Sequence, residues 1–262
     1  MFFFDTTRVD FAVEWNSVDS LPTDLDAGQD CGFEADASAW SVASGVINIA
    51  RIFNHNEKFL WGNANAWATD YLHPEQDSRG ESLAWIDNAH LMYYVGHGRR
   101  EYSVSLPSSH YGCTAPYSKM RLGVRRLRWL VLDLCGAVSG RPAVDQSVMR
   151  TWSRPTDGDA EHPVEALHVL CTLIGDSYAG IDIGHGADFI AAISFGTPVG
   201  TAWLDAAFAR SGAGSTVKWN VPIAIACGGD SADATARRDR GRLADRDVGP
   251  VPASHLAWKF RI

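Results

Sequence analysis

No two cysteines in this 262-residue chain are spaced as CxxC. The five present, at 31, 113, 135, 171 and 227, are odd in number. A disulfide framework is therefore not expected, and the short Cys/His spacings of a zinc site are missing. No apolar run approaches the ~20 residues needed to cross a bilayer. The opening Met1-Phe2-Phe3-Phe4-Asp5 has no basic segment and does not read as a secretion signal. No GxGxxG, P-loop or HExxH pattern occurs, so neither cofactor nor metal is expected. Basic residues are in the minority: 23 Lys and Arg face 31 Asp and Glu, a net charge of −8. Such a surface disfavours nucleic acid or an anionic membrane as partner. Reduced thiols in a cytoplasm fit this pattern best.

What is present is an ordinary globular balance, 46% apolar and 21% charged. Ten tryptophans imply a core or pocket rich in aromatics. No linker divides the chain, and residues 1–262 read as one domain. DFAVEW (10–15) alternates as a strand does, as does YSVSL (102–106). Asp30 can cap a helix whose apolar positions run 33, 37, 40, 43, 47 and 50. Apolar runs at 89–95, 127–132 and 168–174 each end near a glycine. Helices are expected at 142–152, 187–195 and 199–209, and late strands at 217–226 and 255–260. Short apolar runs alternating with helices imply an α/β fold: a mostly parallel sheet with helices on both faces. Residues 99–126 and 228–250 read as mobile surface, and ARRDRGRLADRD (236–247) as a solvated helix or surface loop.

In such folds ligands sit beyond the carboxyl ends of the strands. Two strand ends there offer a base and a nucleophile. His97 follows AHLMYYVG, Cys135 follows LRWLVLDL, and each is followed by glycine. Their separation of 38 positions allows a parallel crossover that brings both to one rim. A neighbouring imidazole favours the thiolate form of a cysteine and makes it a nucleophile. Backbone N–H groups of Gly98 and Cys135 could hold an oxyanion. His185 lies in a second Gly-His-Gly and is either a helix start or a further site histidine. Asp176, Ser177 and Tyr178 follow the third apolar run and are candidate substrate contacts. Asp133 reads as structural, Asp70 and Asp87 as turn or cap residues, and His168 as a core residue.

YYVGHG and LVLDLCGA resemble the two signature blocks of the caspase and gingipain clan of cysteine peptidases. The wider chain resembles an uncharacterised bacterial family sharing those blocks, through AWATDY (66–71), WIDNAHLMYYVGHG (85–98), LRWLVLDLCGA (127–137), EALHVLCTLIG (165–175), GTAWLDAAF (200–208) and SHLAWKF (254–260). The resemblance implies a caspase-like three-layer α/β sandwich. His97 and Cys135 would be its dyad, with Gly98 in the oxyanion hole. Leu134 and Gly136-Ala137 depart from the clan's residues around the cysteine, and no motif marks a peptidase specificity pocket. Three readings stay open. The first is covalent acyl or amide chemistry on a peptide or small molecule. The second is a cyclase-type biosynthetic enzyme using the fold as an apolar pocket. The third is a catalytically dead binding protein. Oligomeric state is not legible.

Overall fold

The computed structural model describes residues 7–17, 37–99, 103–105, 114–134, 167–174, 183–210, 221–248 and 254–262. Strand β1 (Asp10–Trp15) is followed by helix α1 (Ala37–Ile52) and strand β2 (Asn56–Gly62). Strands β3 (Leu91–Val95), β4 (Gly98–Arg99), β5 (Ser103–Ser105), β6 (Thr114–Pro116), β7 (Trp129–Asp133) and β8 (Val169–Ile174) come next. Helices α2 (His185–Ser194) and α3 (Val199–Arg210), strand β9 (Val221–Gly228), helix α4 (Ser231–Arg240) and strand β10 (His255–Phe260) complete the order.

Seven strands form one sheet in the order β10-β9-β8-β7-β3-β1-β2. The pairings β1–β2, β1–β3, β3–β7 and β7–β8 are parallel. β9 is antiparallel to both its neighbours. The expected α/β class with a mostly parallel sheet is therefore observed. A small antiparallel sheet, β4-β5-β6, follows the end of β3.

β3 and β7 are buried at every position. That is why their sequences, LMYYV and WLVLD, are continuously apolar until the final aspartate. Successive side chains face opposite ways. Tyr93, Val95, Trp129 and Val131 join α1, α2 and α3 in one core layer. Met92, Tyr94, Leu130 and Leu132 join residues of the short 3₁₀ turns and loops at 66–72, 86–89 and 115–127 in the other. Among the described residues, α1, α2 and α3 thus share one face. The helix expected at 142–152 lies outside the described residues.

Two expectations need correction. The described residues 228–248 are not the mobile surface expected, and the helical alternative read for 236–247 is the one observed up to Arg240. Asp230 caps α4 by accepting the Asp233 N–H at 2.8 Å, and a 3₁₀ turn spans Leu243–Asp247. Strand β2 was not anticipated. Its NEKFLWG sequence lies at the sheet edge, and its first three residues are exposed.

β1, β3 and β7 finish level with one another. Trp15 pairs with Val95, and Val95 with Asp133. The Gly96 N–H then donates to the Asp133 carbonyl at 3.2 Å, and the Asn16 N–H to the Val95 carbonyl at 3.0 Å. These three ends make a rim.

Candidate active site at the carboxyl rim of the sheet

His97 leaves the rim through Gly96, whose φ of +155° suits glycine. A Cβ on Gly96 would lie 2.8 Å from the Tyr94 hydroxyl and 3.0 Å from Asn16 Cβ. The Tyr94 hydroxyl donates to the His97 carbonyl at 3.2 Å, fixing the backbone of the Gly-His-Gly turn. The His97 side chain is half-buried. Gly98 opens β4 and lies opposite Val104 in the small sheet.

Asp133 is the hub of the rim. Its carbonyl receives Gly96, and its Oδ2 accepts from the Tyr93 hydroxyl at 2.8 Å and from His185 Nε2 at 2.5 Å. The carboxylate is buried and the His185 side chain is 16% exposed, so the pair touches solvent mainly through the imidazole. Burial and the adjacent carboxylate push the Tyr93 phenol well above its ordinary value, so it stays a donor.

His185 opens α2, directly after Gly184. Its ring meets Trp203 edge-on at 6.1 Å between centroids. Trp203 is held in turn by donating its indole N–H to the Thr172 carbonyl at 3.0 Å. Gly186 lets α2 approach this closely. A Cβ there would sit 2.7 Å from Val46 Cγ2 and 3.0 Å from the Tyr93 hydroxyl. His185 is therefore both a helix start and a rim histidine, and Asp133 has the structural bonds expected of it.

Cys135, Asp176, Ser177 and Tyr178 lie outside the described residues. Cys135 comes two positions after Asp133, and Asp176 two after Ile174 of β8. Cys171 and Cys227 are thiols buried in the core, and the Cys227 Sγ–H donates to the Leu167 carbonyl at 3.5 Å. Burial pushes the Cys171 thiol far up, which suits packing and not nucleophilic attack. Among the described residues no group of three His, Cys, Asp or Glu side chains could hold a metal ion.

A second buried polar group lies on the sheet's other face. Glu14 of β1, Asn16, Asp70 and Tyr71 are all fully buried. Burial raises both carboxyls, reinforced at Glu14 by the Asp70 charge and at Asp70 by the Glu81 charge, while the Glu14 contact itself lowers Asp70. Asp70 is pushed up to about 7, even though its Oδ2 accepts the Trp67 N–H at 3.1 Å. With both carboxyls raised and no water to solvate their charge, the site keeps a proton that two exposed carboxylates would release. Asp70 does have the turn role read from sequence, and Asp87 likewise accepts the Gly123 and Arg125 backbone N–H groups at 2.9 and 3.1 Å. His168 is a core residue whose burial pushes its imidazole down to about 3. Sequence reasoning missed Tyr93 and Glu14. Tyr93 is one of two adjacent tyrosines in an apolar run, and Glu14 is the polar member of an alternating strand.

The family model described as "Domain of unknown function (DUF6345)" matches residues 39–245. No curated protein matches the sequence. Among solved structures, the Arg-specific cysteine proteinase gingipain R is similar at 12% identity and a TM-score of 0.46. That match covers 81% of this chain and 44% of gingipain, so the chain spans less than half of that relative's length. The Drosophila initiator caspase Dronc is similar at 9% identity and a TM-score of 0.40, covering 82% of this chain and 78% of Dronc.

Proposed function

The chain belongs to the DUF6345 family, and we propose that it is a Cys–His enzyme acting on an acyl or amide substrate through a thioester. The observation carrying this reading is the pairing of β3 with β7. The strands leading to His97 and Cys135 end side by side, with Gly96 bonded to Asp133 where they part. In the proposed reaction His97 takes the Cys135 thiol proton as Sγ bonds to the substrate carbonyl carbon. The carbonyl electrons move to oxygen, where the N–H groups of Gly98 and Cys135 receive them. As the carbonyl re-forms, the bond to the leaving amine or alcohol breaks, and His97 returns the proton to it. Water or another acceptor then releases the acyl group and regenerates the thiol. A soluble peptide or small acyl compound is the proposed partner, and Asp176, Ser177 and Tyr178 are its proposed contacts.

The test is site-resolved alkylation by iodoacetamide at near-neutral pH, read by mass spectrometry. Cys135 is expected to react faster than Cys31, Cys113, Cys171 and Cys227, and to slow in His97→Ala. Equal labelling of Cys135 and the other thiols, unchanged in the variant, refutes the assignment.

A further inference from the structure

Both routes into the proposed dyad pass through one residue. The Asp133 carbonyl receives the turn that presents His97, and Asp133 itself precedes Cys135 by two positions. Its carboxylate is held from two other elements, by Tyr93 on β3 and by His185 at the start of α2.

We propose that His185 is a positioning residue for this chemistry: by donating Nε2–H to Asp133 it locks the end of β7, from which Cys135 departs and to whose last carbonyl the Gly96 N–H ahead of His97 is bonded. This rests on the Cys–His reading above. Several features fit a built device and not a chance contact. Both donors converge on the same oxygen, Oδ2, at 2.8 and 2.5 Å. The bond is charge-assisted and nearly dry, conditions in which hydrogen bonds are strongest and most directional. The imidazole has a floor, the Trp203 ring, itself tethered to β8. Gly186 provides the space that lets the helix start reach Tyr93 and the carboxylate. A histidine serving only as a helix start needs none of these. His185 acts through Asp133, and its loss is felt as a misplaced thiol.

The experiment follows Cys135 alkylation by iodoacetamide from pH 5 to 9 in wild type and four variants. His185→Ala and His185→Phe remove the donor, Phe keeping a ring against Trp203. His185→Gln keeps a donor, and His97→Ala reports on the dyad itself. Ala and Phe are expected to slow labelling at pH 7 by about tenfold, the loss of one hydrogen bond to a charged group, and to displace the pH midpoint. Gln is expected to restore most of the rate. If Ala does not fold, the Phe–Gln comparison carries the same information. Slowing by His97→Ala with unchanged rates in the His185 variants overturns this proposal and leaves the dyad standing. Gln as slow as Phe overturns the hydrogen-bond account. Cys135 labelling no faster than Cys171 in wild type overturns the Cys–His reading and this one with it.

Discussion

Replacing Asp70 by Asn tests the proton kept by Glu14 and Asp70. In the native protein Asp70 is pushed from its ordinary 3.8 to about 7, first by burial, because Glu14 and Asp70 lie in the core without a cation between them. A carboxyl that holds its proton more tightly folded than unfolded supports the fold while protonated. That support is complete below the unfolded value and is lost as pH rises from about 4 toward 7. Raising the carboxyl from 3.8 to about 7 corresponds to about 4 kcal/mol at most, divided between the two interacting carboxyls. Asn can still accept the Trp67 N–H, and its amide donates permanently to Glu14, replacing the proton. Three buried histidines act in the opposite sense. Burial pushes His55, His90 and His168 down to about 4, 4 and 3, so each withdraws stability as pH falls below its ordinary 6.5. Only the difference between variant and wild type isolates the pair. Urea unfolding at pH 5 and pH 8.5 is the assay. Asp70→Asn is expected to match wild type within about 1 kcal/mol at pH 5. At pH 8.5 it is expected to be more stable by about 2–3 kcal/mol, the linkage remaining between pH 5 and about 7. An equal offset at both pH values refutes the reasoning, because it leaves no linkage to a proton.

Other consequences can be measured directly. Tyr93→Phe removes one of two donors from the buried Asp133 carboxylate and is expected to cost about 1.5–3 kcal/mol in urea unfolding; an unchanged midpoint contradicts it. Gly186→Ala places a Cβ against Val46 and the Tyr93 hydroxyl and is expected to lower stability by about 1–3 kcal/mol, where an open site would give a gain. Asp87→Ala strips acceptors from the Gly123 and Arg125 amides and is expected to destabilise by more than about 2 kcal/mol, with raised hydrogen exchange at both. On an acyl or amide substrate, Cys135→Ala, His97→Ala and the double variant are expected to lose turnover to a similar extent, because nucleophile and base act as a unit. Near-normal turnover in Cys135→Ala contradicts a covalent step.

β1, β3, β7 and β8 are legible in the sequence because strands covered on both faces cannot afford polar interruptions. Their apolar runs begin and end within about two residues of the observed strands. β2 is not legible, because an edge strand with exposed Asn56, Glu57 and Lys58 lacks that continuous pattern. The reversal at β9 has no local signature either. VPIAIACG is as apolar as the parallel strands β3, β7 and β8, and its direction is set by how the chain returns to the sheet. At the site, Gly96-His97-Gly98 is visible because glycine marks a strand end, whereas the meaning of Asp133 and His185 emerges only from their 52-residue separation collapsing to one hydrogen bond. Glu14 is hidden for a different reason. Alternation in DFAVEW implies one wet face, but the second face of this strand is roofed by residues 66–72.

The outer strand β2 has a bearing on how the protein keeps to itself in concentrated solution. No described strand pairs with its free side, and Phe59-Leu60-Trp61 along it is the kind of aromatic, β-prone run that templates intermolecular sheets. Just ahead of that run the edge carries two opposite charges, Glu57 bonded to Arg51 and Lys58 set 3.5 Å from Asp10. An incoming strand aligned with the aromatics would have to desolvate or displace both. These side chains act as gatekeepers, and their contribution is to colloidal behaviour more than to folding free energy. A chain with apolar residues at 57 and 58 would fold to the same sheet and stack into aggregates along this border.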